Sequence, residues 1–458
     1  MKPKHVHIIV LCLQMAFVPA LLALDTGFRF ATFSADVTPP IGHPLMGGGI
    51  KPAGKVVDPL FAKGWVLTSQ LEKPIVFVSV DWCEIRNQAY DRWREVLGKA
   101  AGTDAGRVFV TSVHVHDAPV ADLEAQRILE AHHAAGNICD LRFHEEAVQR
   151  VAHALTESLK TSRRVTQFGL GQAKVEKVAS NRRYTLDDGT VRYGRYSATK
   201  DPLAQAAEEG TIDPWLKTLS FWDGGVPLAA MHFYAVHPMS YYGGGGVSAD
   251  FVGMARARMQ AENPSVFQIY VSGCSGNVTA GKFNDGSPGN RPILADRIYA
   301  AMKASWSATK RQKLVQCKFE QASLVLEPRN EPGFSAAELE EQLGDHSKPF
   351  RQCLAAMGLS WRARHVAAPE IDVPMLDFGG AQIVLLPAES YVEFQLFAQQ
   401  QRPNTFVLTA GYGECAPGYI PIERAWAEHD SNLTDWCWIN PGSQRKMEKV
   451  IESLFRKH

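Results

Sequence analysis

The run Val108-Phe109-Val110-Thr111-Ser112-Val113-His114-Val115-His116-Asp117 decides how this sequence is read. A short stretch rich in β-branched and aromatic residues passes straight into a His-x-His pair, and alternate strand residues share one face. The arrangement recurs. Met231-His232-Phe233-Tyr234-Ala235-Val236 ends at His237-Pro238, and Ile383-Val384-Leu385-Leu386 ends at Pro387-Ala388-Glu389. Phe406-Val407-Leu408-Thr409 leads through a glycine-rich turn to Tyr419. Apolar runs this short read as strands buried in a sheet. In α/β sheets, ligands bind beyond the carboxyl ends of such strands, on loops held by a rigid scaffold.

Outward from these segments, further strands are expected at 64–70, 75–81, 216–222, 227–236, 267–271, 315–326, 381–386 and 405–409, rich in Val, Ile, Phe and Tyr and bounded by turn formers. Helices are expected at 89–101, 143–162, 251–262, 293–306, 336–343, 391–398 and 445–455. In the second, Val148, Val151, Ala152, Leu155 and Leu159 repeat at helical spacing and bury one face. His132, His133 and His144 lie in or beside helical stretches and read as surface residues, and His429-Asp430 as part of a polar loop. The tracts 243–246 and 284–290 are loops. No internal repeat and no Pro/Ser-rich linker appears. The expected fold is α/β, a mixed sheet covered by helices, in one catalytic domain over 24–458.

The start of the chain reads as an export leader. Lys2 and Lys4 precede an apolar run, and Ala23 offers a small residue for cleavage, so residues 1–23 form a signal peptide of a secreted or periplasmic protein. The alternative, a short membrane anchor, needs about 20 apolar residues, and this run is shorter and contains Gln14 and Pro19. Cleavage leaves seven scattered cysteines with no C-x-x-C pair, which disfavours a thiolate zinc site; one or two disulfides are expected, with at least one free thiol. Lys plus Arg and Asp plus Glu are 48 each, so no net field favours nucleic acid.

His114, His237, Glu389 and Tyr419 form a donor set suited to Zn²⁺ with a position left for water, and so to hydrolysis of an amide or ester. Each has a plain structural alternative: paired histidines on a strand face, a carboxylate opening a helix, a tyrosine in the core. No H-E-x-x-H, G-x-S-x-G or glycine-rich phosphate loop supports the usual competing enzyme classes.

Several blocks resemble the catalytic part of the neutral/alkaline, non-lysosomal ceramidase family. Ala35-Asp36-Val37-Thr38-Pro39-Pro40 with Met46-Gly47-Gly48 is similar to its opening, and Val76–Asp81 to a strand ending in Asp. Ser112-Val113-His114-Val115-His116-Asp117-Ala118-Pro119 looks like its T-H-T-H-S-G-P signature. Asn181-Arg182-Arg183, His237-Pro238-Met239-Ser240, Leu386-Pro387-Ala388-Glu389 and Tyr419-Ile420-Pro421 follow in family order. The resemblance implies that His114, His237, Glu389 and Tyr419 bind zinc, that His116 meets the substrate carbonyl or oxyanion, and that Arg182 places the amide. It implies a lipid amide substrate such as ceramide, and with it peripheral membrane contact.

The departures bear on substrate more than on metal. The G-D-V-S-P-N block appears as Gly276-Asn277-Val278-Thr279-Ala280-Gly281, so Thr279, kept as a candidate catalytic residue, stands where the family has serine. Ser431 falls near a tyrosine that lines the family's site, and the chain stops without the C-terminal β-rich domain of longer members. Two other readings stay open: a related metallohydrolase acting on another amide, ester or lactone, and an exported lipid- or carbohydrate-binding protein without activity.

Overall fold

The computed structural model describes residues 27–70 and 72–456; the leader read at 1–23 lies outside them. Three mixed sheets organise the chain. In the first, β1 (Arg29–Asp36), β2 (Phe61–Thr68) and β3 (Ile75–Val80) form an antiparallel meander. Helix α1 (Asn87–Ala101) then returns the chain to β4 (Val108–Ser112), parallel to β3, and α2 (Leu141–Leu159) follows. The second sheet repeats this with β5 (Gln167–Lys174), β6 (Trp215–Asp223), β7 (Val226–Tyr234), α3 (Asp250–Glu262), β8 (Phe267–Ser272) and α4 (Asn290–Ser307). The third begins with β9 (Lys318–Val325), takes in α5 (Ala336–Leu343) and α6 (Pro349–Ala367), and resumes with β10 (Glu370–Asp377) and β11 (Ala381–Leu385). It closes with α7 (Val392–Gln401), β12 (Phe406–Ala410) parallel to β11, and α8 (Ser443–Phe455). The same four-strand order thus occurs three times, with α5 and α6 inserted after the first strand of the third unit and no sequence repeat behind it.

Strand alternation explains why the three units pack. On β3, Val76, Val78 and Val80 join Trp93, Leu97, Val148 and Val151 in the core beneath α1 and α2. Phe77 points the other way, into a core shared by all three sheets with Trp65, Phe109, Phe221, Ile269, Ile383 and Leu408. The Phe77 and Trp65 rings stack at 5.7 Å. Strands buried on both faces need apolar residues at every position, which is why their sequences read as continuous runs. The expected α/β class is what the structure has.

Some expectations change in detail. β1, β5, β10 and α6 had no counterpart in the sequence reading. The strand expected at 315–326 narrows to Lys318–Val325. His144 is a buried side chain, not a surface one; its ring lies 6.1 Å from Trp82. All seven cysteines described are buried free thiols, so the expected disulfides are absent among the described residues. No helix among the described residues is long and apolar enough to cross a membrane.

Candidate metal centre

The carboxyl ends of the parallel strand pairs meet. Thr111 Oγ1 donates to the Gly411 carbonyl and Ser272 Oγ to the Val113 carbonyl, each at 2.7 Å, and Gly411 N donates to the Ser272 carbonyl at 2.8 Å. These bonds knit the ends of β4, β8 and β12. Just beyond, His114, Ala388 and Tyr412 adopt φ of 69°, 51° and 56°. Left-handed backbone is uncommon outside glycine and costs of order 1 kcal/mol each, a strain that clusters at functional sites. These turns carry His114, after β4, and Glu389, after β11, toward His237, which follows β7.

The result is a compact triangle of donor atoms. His114 Nε2 lies 3.1 Å from His237 Nε2 and 3.3 Å from Glu389 Oε2, and His237 Nε2 lies 3.0 Å from the same oxygen. Each imidazole is oriented from behind: His114 Nδ1 donates to the Cys83 carbonyl at 2.9 Å and His237 Nδ1 to the Ser275 carbonyl at 2.5 Å. With its proton on Nδ1, each ring turns a lone pair on Nε2 into the triangle, beside a carboxylate oxygen that has no hydrogen-bond donor. Three buried acceptors facing one another repel unless a cation or proton lies among them. Tetrahedral ligands about 2.0 Å from zinc are separated by about 3.3 Å, close to the spacing found. The donor set therefore fits a divalent zinc ion.

Tyr419 sits beside Glu389 because a two-residue parallel ladder pairs Glu389 with Tyr419 and Ser390 with Ile420. Its hydroxyl accepts from Arg182 Nη1 at 2.8 Å, and burial holds the phenol well above its ordinary pKa. His114, His116, Arg182, Glu389 and Tyr419 line one cavity of about 200 Å³ with Cys83, Tyr196, Tyr242, Asn432 and Trp436. His116 packs edge-on to Tyr242 at 4.8 Å, and its Nδ1 has no partner. Burial and the neighbouring His114 and His237 drive its pKa well below 6.5, so its ring is neutral. Cys83, His114 and His116 form a second cluster of donors, but burial raises the Cys83 thiol well above its ordinary pKa and disfavours the thiolate a metal needs.

Thr279 is not brought to this cavity. Its hydroxyl donates to the Arg195 carbonyl at 2.7 Å and accepts from Gly281 N at 3.1 Å, a structural task within a buried turn. Asn277 likewise accepts from Val392 N at 2.9 Å, at the first residue of α7. The carbonyls of Cys83 and Ser275 were invisible to sequence reasoning, since a backbone acceptor has no side-chain signature. Tyr242, Asn432 and Trp436 carried no motif.

No protein-family model matches the chain, and no curated protein matches it. Solved structures do. A ceramidase complexed with C2 superposes with a TM-score of 0.69 at 16% identity, over 94% of this chain and 75% of that one. The neutral ceramidase from Pseudomonas aeruginosa gives 0.69 at 15% identity over the same shares. Helix-backed mixed sheets around a polar apex define an α/β protein with its site at the strand ends. Within that class, the fold of this chain is that of the neutral ceramidases.

Proposed function

We propose that this chain is a zinc-dependent amidohydrolase acting on an acyl amide of the ceramide kind. The observation that carries this reading is the triangle of His114, His237 and Glu389 donors, whose imidazole protons are both engaged on the far side. These three residues, with Tyr419 beside them, would hold the ion. Bound zinc supplies an electrophile and a water whose pKa falls to about 7. The chain's own groups do the rest. Neutral His116 offers a hydrogen bond to the substrate carbonyl oxygen, and Arg182 adds a permanently charged donor on the same cavity wall. Met46, Met239 and Trp436 give that wall its apolar portion. Export by a cleaved leader belongs to this proposal, and N-terminal sequencing of the mature protein tests it.

One observation favours a smaller substrate. Pockets that enclose drug-sized ligands measure roughly 300–1,000 Å³, whereas this cavity is about 200 Å³. A two-chain lipid amide must leave its tails outside, against a membrane or in solvent; a short amide, ester or lactone fits within. Hydrolysis measured across ceramides, N-acyl amino acids and simple esters separates the two. Ceramide should be cleaved, and His114→Ala should remove both bound zinc and hydrolysis. Retained activity and retained metal in that variant would end the assignment.

A further inference from the structure

We infer that Asn432 is a positioning residue of this site, one that holds the Arg182 guanidinium off the Glu389 carboxylate and turns its free edge toward the cavity. The inference rests on the metal-hydrolase reading only for its effect on metal and substrate.

Arg182 is buried, and its hydrogen bonds are unevenly shared. Nη1 donates to both the Tyr419 hydroxyl and Asn432 Oδ1, at 2.8 Å each. Nε has no partner, and Nη2 has only a 3.4 Å approach to His237 Nε2, a nitrogen whose lone pair points into the donor triangle. One end of the guanidinium is thus held twice, while on the parallel Nε–H and Nη2–H edge, the one that grips oxygen atoms bidentately, Nε–H is unclaimed and Nη2–H has only the long contact to His237.

Asn432 is itself fixed. Its Nδ2 donates to Asp430 Oδ1 at 2.6 Å and its backbone N–H to the same oxygen at 2.9 Å, so only its carbonyl can face Arg182. Asp430 Oδ2 accepts from the Tyr391 hydroxyl at 2.5 Å. Tyr391 lies two residues past Glu389, and Glu389 pairs with Tyr419 across the ladder. The bonds therefore close a ring from the ligand-bearing segment through Tyr391, Asp430, Asn432 and Arg182 to Tyr419 and back.

What the ring prevents is the competing ion pair. A buried guanidinium gains most from a carboxylate, and the Glu389 charge acts on Arg182 from the Tyr419 side, while Asp430 is already engaged by Asn432 and Tyr391. Among the described residues, Glu389 has two imidazoles within ion-pair reach and no guanidinium. Without Asn432, Arg182 is free to swing onto Glu389, which takes a ligand from the metal and a charged donor from the substrate.

The test begins with a crystal structure of metal-free Asn432→Ala. Arg182 should lie within hydrogen-bond distance of the Glu389 carboxylate; Arg182 unmoved from Tyr419 overturns the inference. Zinc affinity, by competition with a chelator, should fall about tenfold or more in Asn432→Ala but should match Arg182→Gln in the double variant Arg182→Gln/Asn432→Ala, since no guanidinium remains to intrude. KM should rise in Asn432→Ala and not further in the double variant. Losses that add in the double variant overturn the inference. Should Asn432→Ala fail to fold, Asn432→Ser, too short to reach Arg182, carries the same measurements. A parent protein that takes up no zinc would instead defeat the metal-hydrolase reading, while the position of Arg182 in the crystal still decides the role of Asn432.

Discussion

Zinc uptake should displace one proton from the donor triangle, not two. Burial lowers the His114 pKa, but the charge and hydrogen bond of Glu389 outweigh it and raise the group above 6.5. His237 goes the other way: burial and the Arg182 charge push it down to about 4. Burial would raise Glu389, yet the two imidazoles hold it well below 4.5. Between about pH 5 and the raised His114 value, then, a single proton occupies the metal-free triangle, on His114 Nε2, and zinc must replace it. Affinity should fall tenfold per pH unit below that value, about 1.4 kcal/mol per unit and about hundredfold over two. Two ordinary imidazoles would give a slope approaching two in the same range. Chelator competition as a function of pH gives the slope, and calorimetry in buffers of different ionisation enthalpy counts the protons released. A slope near two, or none through about pH 5.5 to 6.5, refutes the assigned protonation pattern.

Other consequences concern stability and the thiols. Burial holds His144 at about 4 against 6.5, so the unfolded chain takes up its proton first. The associated stability is complete above 6.5 and is lost as the pH falls toward about 4, roughly 3 kcal/mol in all. His144→Phe should flatten the acid limb of urea-melting curves; an unchanged limb contradicts this. Phe77→Ala, at the centre of the three-sheet core, should cost about 3–5 kcal/mol in denaturant melts, and a loss under about 1 kcal/mol would show that core to be loosely packed. The seven buried thiols should react with a thiol reagent only after unfolding, without prior reductant.

The strand ends were legible because strands covered on both faces leave continuous apolar runs, and those runs stop where the backbone turns into the site. What was missed has local causes. In β5, Gly169 and Gly171 look like breakers, yet a Cβ on Gly171 would meet the Ser305 carbonyl at 2.1 Å, so glycine is what lets α4 pack there. In β10, Pro374 argues against a central strand. It pairs with Gln321 of β9, but the ladder with β11 covers only Met375–Asp377, so at Pro374 the strand is paired on one side alone. The threefold topology left no repeat because strand order, not residue identity, is what the units share. At the site, His114, His237, Glu389, Tyr419, His116 and Arg182 were readable from strand ends and block order. Asn432 was not, because its role arises from contacts with residues far away in the chain.

The most direct test of the account is elemental analysis of purified protein beside its His237→Ala and Glu389→Gln variants. One zinc per parent chain, lost from both variants while their folds persist, is the expected result. A folded parent that carries no stoichiometric metal after equilibration with zinc contradicts it.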